Sequence, residues 1–240
     1  MEVISVNHLR KMFANKTIHR DVSFKVKEGE CLGLLGGSGA GKSVILRSLI
    51  GLEKPDGGEI RIDGVDISKL SEPQLYEIRK KVAYAFQNGA LFDSLTVFEN
   101  VAYALKEHTT LSDKDIRLKV HDLLKDFNLD GCENLFPNEL SGGMQKRVGL
   151  ARAIILGPRA ILYDEPTAGL DPANTITIQN LILHLKESGT TSILVTHDMD
   201  TALRVCDRIC FLDKGEIEDL GSVEEIKKDR TRLMSLFVRG

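Results

Sequence analysis

Tryptophan is absent from this 240-residue sequence, and aromatic residues of all kinds make up 5% of it. The four cysteines, Cys31, Cys132, Cys206 and Cys210, form no Cys-x-x-Cys pair and lie near no histidine cluster. That pattern excludes a disulfide framework and a zinc site, and it fits reduced thiols in a cytosolic protein. No run approaches the roughly 18 uncharged apolar residues that a membrane helix needs. The start, Met1-Glu2-Val3-Ile4, has no basic region followed by an apolar stretch, so no secretion signal is expected. An excess of one charge is lacking too. With 32 basic and 35 acidic residues the formal charge is −3, which argues against a chain-wide nucleic-acid footprint. The expectation is a soluble cytosolic chain; if it serves a membrane, other chains supply the spans.

What is present is a globular composition, 42% hydrophobic and 28% charged. At about 150 residues per domain the length allows one or two domains and a sizeable core. Alternating runs open the chain: Val22 to Val26 and Ile60 to Ile62 read as antiparallel strands, with a turn at Pro55-Asp56-Gly57-Gly58. Three runs are apolar without alternation: Cys31 to Leu35, Ala160 to Tyr163 and Ile193 to Val195. Such runs suit central parallel strands covered on both faces. Each leads into a loop rich in Gly, Asp or His, at the sheet edge where open parallel sheets bind ligands. Residues 96–154 are helix-rich, including Asp115 to Phe127 with apolar residues at three- and four-residue spacing. A hairpin is expected around Asp213-Lys214-Gly215-Glu216. Ser222 and Glu225 have the spacing of a capping box.

The chemistry begins at Gly36-Gly37-Ser38-Gly39-Ala40-Gly41-Lys42-Ser43, which fits G-x-x-x-x-G-K-[ST] between an apolar strand and a helical segment from Val44 to Leu52. The glycines let the backbone curl so that several N–H groups face one anion, and the helix N-terminus adds its dipole. Lys42 is placed for β- and γ-phosphates and the Ser43 hydroxyl for Mg²⁺. Asp164 ends an apolar strand, where a carboxylate can face the ion held by Ser43. Glu165 follows, placed to polarise a water for attack on the γ-phosphate. His197 closes a third strand, either as a phosphate contact or as a polar strand end. Ser141 can cap a helix opening at Gly142, giving a second anion site of hydroxyl, N–H groups and dipole.

Leu140-Ser141-Gly142-Gly143-Met144-Gln145 resembles the LSGGQ signature of the ATP-binding cassette (ABC) family. It stands 23 residues before Asp164, and His197 stands 32 after Glu165. Gln87 occupies the place of the family's Q-loop glutamine, and Ala168-Gly169-Leu170-Asp171 resembles the D-loop. This ordered set spans essentially the whole chain. The resemblance implies an α/β fold: a RecA-like P-loop NTPase core with an antiparallel β subdomain and an inserted helical subdomain. It divides one 1–240 nucleotide-binding domain into core segments 1–87 and 155–240 and a helical part 88–154.

The resemblance also implies ATP hydrolysis with Mg²⁺, with Lys42, Gln87, Glu165 and His197 catalytic and Ser43, Gln87 and Asp164 holding the metal. Nucleotide contacts are implied for Phe13, residues 36–44 including Gly36, Gly37, Ser38, Gly39, Ala40, Gly41 and Val44, and for Ser141, Gly142, Gly143, Gln145 and Asp171. The signature residues among them, Ser141, Gly142, Gly143 and Gln145, would close on ATP held by the phosphate loop of a second copy. Phe13, 29 residues before Lys42, matches the family's adenine-stacking aromatic, although an aromatic on a small hairpin serves equally in a core. Val44 departs from the commoner second hydroxyl, which puts a secondary phosphate contact in doubt.

Only 99 residues separate Lys42 from Ser141, and one cassette fills the chain, which sets aside the DNA-repair and translation members of the family. The segment Asn88 to Tyr103, then Leu105-Lys106-Glu107-His108, resembles the Mla-type phospholipid-transport ATPases. Those serve permeases associated with MCE-domain proteins at the bacterial envelope. Arg79-Lys80-Lys81 suits that subfamily and equally a solvated helix end. The implied partners are a second copy, membrane permease subunits, MCE-domain and small accessory subunits, and no nucleic acid. The implied location is the inner face of the inner membrane. Amino-acid importer ATPases share much of this pattern and remain the alternative. Relatives of the Mla type extend further than Gly240, so contacts requiring a longer tail are not expected.

Overall fold

A computed structural model describes residues 1–239; Gly240 lies outside the described residues. The strands are β1 (Glu2–Phe13), β2 (Lys16–Lys27), β3 (Cys31–Gly36), β4 (Gly57–Ile62), β5 (Val65–Asp66), β6 (Val82–Ala85), β7 (Ala160–Asp164), β8 (Thr191–Thr196), β9 (Arg208–Asp213) and β10 (Glu216–Ser222). The helices are α1 (Lys42–Leu49), α2 (Glu72–Lys81), α3 (Val97–His108), α4 (Asp113–Asp126), α5 (Gly142–Ile154), α6 (Pro172–Glu187), α7 (Met199–Val205), α8 (Val223–Lys228) and α9 (Thr231–Arg239).

The three continuous apolar runs form β3, β7 and β8, every residue of which is buried. They pair in parallel, β3 with β8 and β8 with β7. Two further parallel neighbours, β6 beside β7 and β9 beside β3, lack so clear a sequence pattern. β6 is four residues long, with Tyr84 in the middle, too short to announce itself by periodicity.

The alternating strands are longer than the sequence pattern implies: β1 and β2 each run 12 residues and pair antiparallel. One expectation is corrected. Gly57 and Gly58 belong to β4, not to a turn; they sit at a bulge against β1, where the register shifts between Asn7 and Arg10. Gly58 has φ +89°, and a Cβ there would meet the His8 carbonyl, so a glycine is needed for the strand to cross β1 so closely.

The antiparallel sheet and the parallel core are continuous. The strand order is β5-β4-β1-β2-β10-β9-β3-β8-β7-β6. They join at a short parallel contact between β10 and β2, with Arg20 N–H donating to the Gly215 carbonyl at 2.8 Å. The sheet's two faces carry separate cores. One, built on Leu46, Leu49, Ile60 and Val195, lies under α1 and the antiparallel strands. The other, built on Val101, Val120, Val148 and Phe211, packs α3 to α7.

The helices start where their residues dictate. Thr96 and Glu99 form a capping box at α3, and Ser222 and Glu225 form the expected one at α8. No helix of the described residues is long and apolar enough to cross a membrane. The four cysteines are free and buried. Cys31 and Cys206 nevertheless meet at 3.7 Å between sulfurs. Burial pushes the Cys206 thiol up and its hydrogen bond holds the Cys31 thiol down.

Candidate nucleotide site

Parallel pairing brings the carboxyl ends of β3, β8 and β7 side by side, with Leu35 opposite Thr196 and Asp164 opposite Val195. The loops leaving those ends therefore share one edge. A cavity of about 440 Å³ lies there, lined by residues 38–44, Ile18, Gln87, Glu165 and His197.

The phosphate loop bends through Gly39 at φ +75° and Gly41 at φ +100° before α1 starts. At Gly41 a side chain would collide with Ile18 and His19, so the tight curl has room for hydrogen alone. Gly41 caps α1 without any side-chain hydrogen bond; Val44 and Ile45 N–H donate to its carbonyl, and no side chain caps the N–H groups of Lys42 and Ser43 ahead of them. Lys42 is buried, its Nζ donating to the Gly36 and Gly37 carbonyls at 2.8 and 3.0 Å and lying 3.8 Å from Glu165 Oε1. Burial lowers its pKa, and the charges of Glu165 and Asp164 oppose that shift.

Asp164, itself buried, accepts from Ser43 Oγ at 2.7 Å on one oxygen and from Tyr84 Oη at 2.6 Å on the other. The serine hydroxyl and the carboxylate are hard oxygen donors in contact, a set that fits a Mg²⁺ ion better than a softer metal. Tyr84 was not foreseen from sequence. Its only signal is a polar tip in a short apolar strand beside β7, which is visible once the pairing Ala85–Tyr163 is known. Burial and the Asp164 carboxylate raise the Tyr84 phenol's pKa, so it donates throughout the physiological range.

Glu165 stands at φ +49°, an unusual backbone for a non-glycine residue. The bend turns its carboxylate back over β8: Oε2 lies 2.9 Å from His197 Nδ1 and accepts from Thr196 Oγ1 at 3.2 Å. Lys42, Ser43, Gln87, Asp164, Glu165 and His197 are thus assembled from four separate segments.

The remaining expected residues are elsewhere. Phe13, 42% exposed, ends β1 with Lys11 Nζ 4.8 Å from its ring centroid, and it does not line the cavity. Ser141 caps α5 as expected, accepting from Met144 N at 3.3 Å. It and Gly142 are exposed, and neither they nor Gly143 line the cavity. The side chains of the other two expected contacts bond within the chain. Gln145 Nε2 donates to the Pro137 carbonyl at 2.8 Å, bracing the turn before the signature. Asp171 caps α6 through Asn174, and those bonds hold its carboxyl below the usual range. A residue missed by sequence, Lys146 of α5, donates to the Pro166 and Ala168 carbonyls and so ties the signature helix to the loop after Glu165.

The family described as "ABC transporter" matches residues 19–168. The chain belongs to the ABC transporter family and is an ATPase cassette of it. It is 42% identical over 238 residues to the "Probable ribonucleotide transport ATP-binding protein mkl" of Mycobacterium tuberculosis, covering 99% of this chain and 66% of that protein. It is 37% identical over 239 residues to the intermembrane phospholipid transport system ATP-binding protein MlaF of Haemophilus influenzae, covering 99% of this chain and 90% of MlaF. A methionine import protein, MetN 2 of Bacillus cereus, is also 37% identical, with 99% and 71% covered. The chain thus spans about two thirds of the length of the mycobacterial relative. Among solved structures, the dimeric cassette MJ0796 in a post-hydrolysis state with ADP and Pi superposes with TM-score 0.83 at 34% identity, over 90% of this chain and 98% of that one.

Proposed function

We propose that this chain is the ATP-hydrolysing subunit of a transporter that moves phospholipid across or between bacterial envelope membranes. A separate membrane permease, with MCE-domain and accessory subunits, would complete the assembly, and the chain would sit on the inner face of the inner membrane. The observation that carries the lipid reading is the segment from Gln87 to His108, with its Mla-type pattern, together with the MlaF relative matched over 90% of its length. The same segment offers an aromatic surface. Phe92 is 45% exposed, with the Tyr103 ring 5.3 Å away and the Arg152 guanidinium 5.4 Å from its centroid. An aromatic anchor of this kind suits a cytoplasmic helix of the permease.

In the proposed mechanism the residues divide the work by position. The glycine loop and the start of α1 receive the phosphates, and Lys42 reaches the β- and γ-phosphates from its place against Gly36 and Gly37. Ser43, Asp164 and Gln87 would hold Mg²⁺, which neutralises phosphate charge. Glu165, oriented by His197 and Thr196, takes the proton of the attacking water. Phe13 lies under the adenine. Ser141 and the N-terminus of α5 close on the nucleotide of a second copy, so that two ATP molecules are sandwiched in a head-to-tail dimer.

Glu165→Gln separates hydrolysis from binding: phosphate release should fall to a small residue while Mg-ATP affinity is kept. Unchanged turnover would remove Glu165 from the role. In that background Ser141→Arg should abolish ATP-dependent dimerisation in sedimentation and spare nucleotide binding by the single chain. For cargo, the chain is copurified with its permease and reconstituted in proteoliposomes. Copurified phospholipid and lipid-stimulated turnover support the reading; stimulation by an amino acid such as methionine instead would establish the importer reading, which the MetN relative favours.

A further inference from the structure

His19 is fully buried in β2, an alternating strand whose other inward positions, Val22, Phe24 and Val26, are apolar. Its Nε2 lies 3.1 Å from the carbonyl oxygen of Gly41, and its Nδ1 is buried without any hydrogen-bond partner. A carbonyl only accepts, so Nε2 carries the proton and Nδ1 is a bare acceptor. Such an orphan destabilises the fold, and an apolar side chain of similar size would remove the penalty. Burial, reinforced by the charge of Lys11, lowers the imidazole's pKa and keeps the ring neutral.

The same ring touches the nucleotide loop at its sharpest point. Gly41 is the last residue before Lys42, and its carbonyl also accepts from Val44 and Ile45, the first bonds of α1. A Cβ on Gly41 would lie 2.8 Å from His19 Nε2, so the ring fills the space that the glycine leaves. Imidazole and loop fit as a wedge behind the bend.

We propose that His19 is a positioning residue for the phosphate loop: its Nε2–H to Gly41 carbonyl bond fixes the peptide that aims Lys42 and the α1 N–H groups at the phosphates. It touches no substrate and acts through Gly41. The inference rests on reading residues 36–43 as the seat of the nucleotide phosphates. A loop held in its receiving shape loses less freedom when it binds, so the bond favours ground and transition states equally.

The test compares His19→Leu, His19→Gln, Lys42→Ala and wild type by Mg-ATP titration, steady-state ATPase kinetics and thermal melting. His19→Leu should raise KM and Kd for Mg-ATP about five- to tenfold, change kcat less than twofold, and melt no lower than wild type. His19→Gln, whose amide can donate to the same carbonyl, should return Kd to within about twofold. Unchanged Kd in the leucine variant, or a glutamine variant as weak as leucine, overturns the proposal. A Leu variant that melts earlier with unaltered affinity also overturns it, by making His19 an ordinary packing residue. If Lys42→Ala leaves affinity intact, the phosphate-loop reading itself fails; if it abolishes binding while His19→Leu does nothing, only the His19 proposal fails. A nitrogen-15 spectrum of the wild-type imidazoles, assigned by loss of one ring in His19→Gln, gives a readout that needs no folded leucine variant. The Nε2–H tautomer is expected, and an Nδ1–H tautomer would sink the proposal.

Discussion

Gly149 lies in the interior of α5, where helix propensity alone predicts that alanine stabilises by about 1 kcal/mol. The structure predicts the opposite sign. A Cβ on Gly149 would stand 2.5 Å from the Gly89 Cα and 2.8 Å from its carbonyl oxygen, both backbone atoms of the loop after Gln87. Gly89 cannot yield freely: it has φ +72°, and its carbonyl accepts from Arg152 Nη2 at 3.0 Å. Arg152 is buried enough for desolvation to lower its pKa, so losing this acceptor is costly. Overpacking costs about 1–3 kcal/mol, and a hydrogen bond to a charged group contributes about 1.5–3 kcal/mol. With part of that bond lost, the propensity gain is outweighed and a net destabilisation of about 2 kcal/mol is expected for Gly149→Ala. For a domain of this size that lowers the melting temperature by about 4–8 °C. Calorimetry on Gly149→Ala beside Gly142→Ala supplies the contrast, because a Cβ on Gly142 meets nothing within 4 Å. Gly142→Ala should melt within about 2 °C of wild type. If Gly149→Ala melts at or above wild type, the loop gives way at no cost and the close contact is not a constraint.

Tyr84→Phe keeps the ring and removes the donor to buried Asp164, so it should cost about 1.5–3 kcal/mol and weaken Mn²⁺ binding in the presence of nucleotide. An unaltered melting temperature in calorimetry, with unaltered Mn²⁺ affinity by electron paramagnetic resonance, would refute it. Phe92→Ala should shift melting little, since the side chain is 45% exposed, while weakening copurification with the permease; early melting would assign Phe92 to the core. The pH dependence follows from His19. Burial lowers its folded pKa below the usual 6.5, so the unfolded chain binds more protons near that pH and stability falls as pH drops through about 6.5. His19→Leu should flatten this part of the urea-denaturation profile between about pH 7.5 and 5.5, and parallel profiles would contradict the burial argument.

The sequence by itself determined the elements whose signals are local. Cys31 to Leu35, Ala160 to Tyr163 and Ile193 to Val195 are apolar without alternation because both faces of those strands are covered, and burial of this kind is written directly into composition. The glycine spacing before Lys42 and the caps at Ser141 and Ser222 were equally legible, since each satisfies backbone groups within a few residues of itself. Tertiary structure decided the rest. Which strand lies beside which brought Tyr84 to Asp164 across 80 residues, Thr196 to Glu165 across 31 and His197 to Glu165 across 32, and no local pattern encodes such pairings. The bulge at Gly58, the wedge of His19 behind Gly41 and the contact of Gly149 with Gly89 each depend on a close approach between distant segments. Gln145 and Asp171 stand on the local side of that division: their side chains bond to Pro137, Leu140 and Asn174, all within eight residues of themselves, where backbone groups at the helix starts need partners.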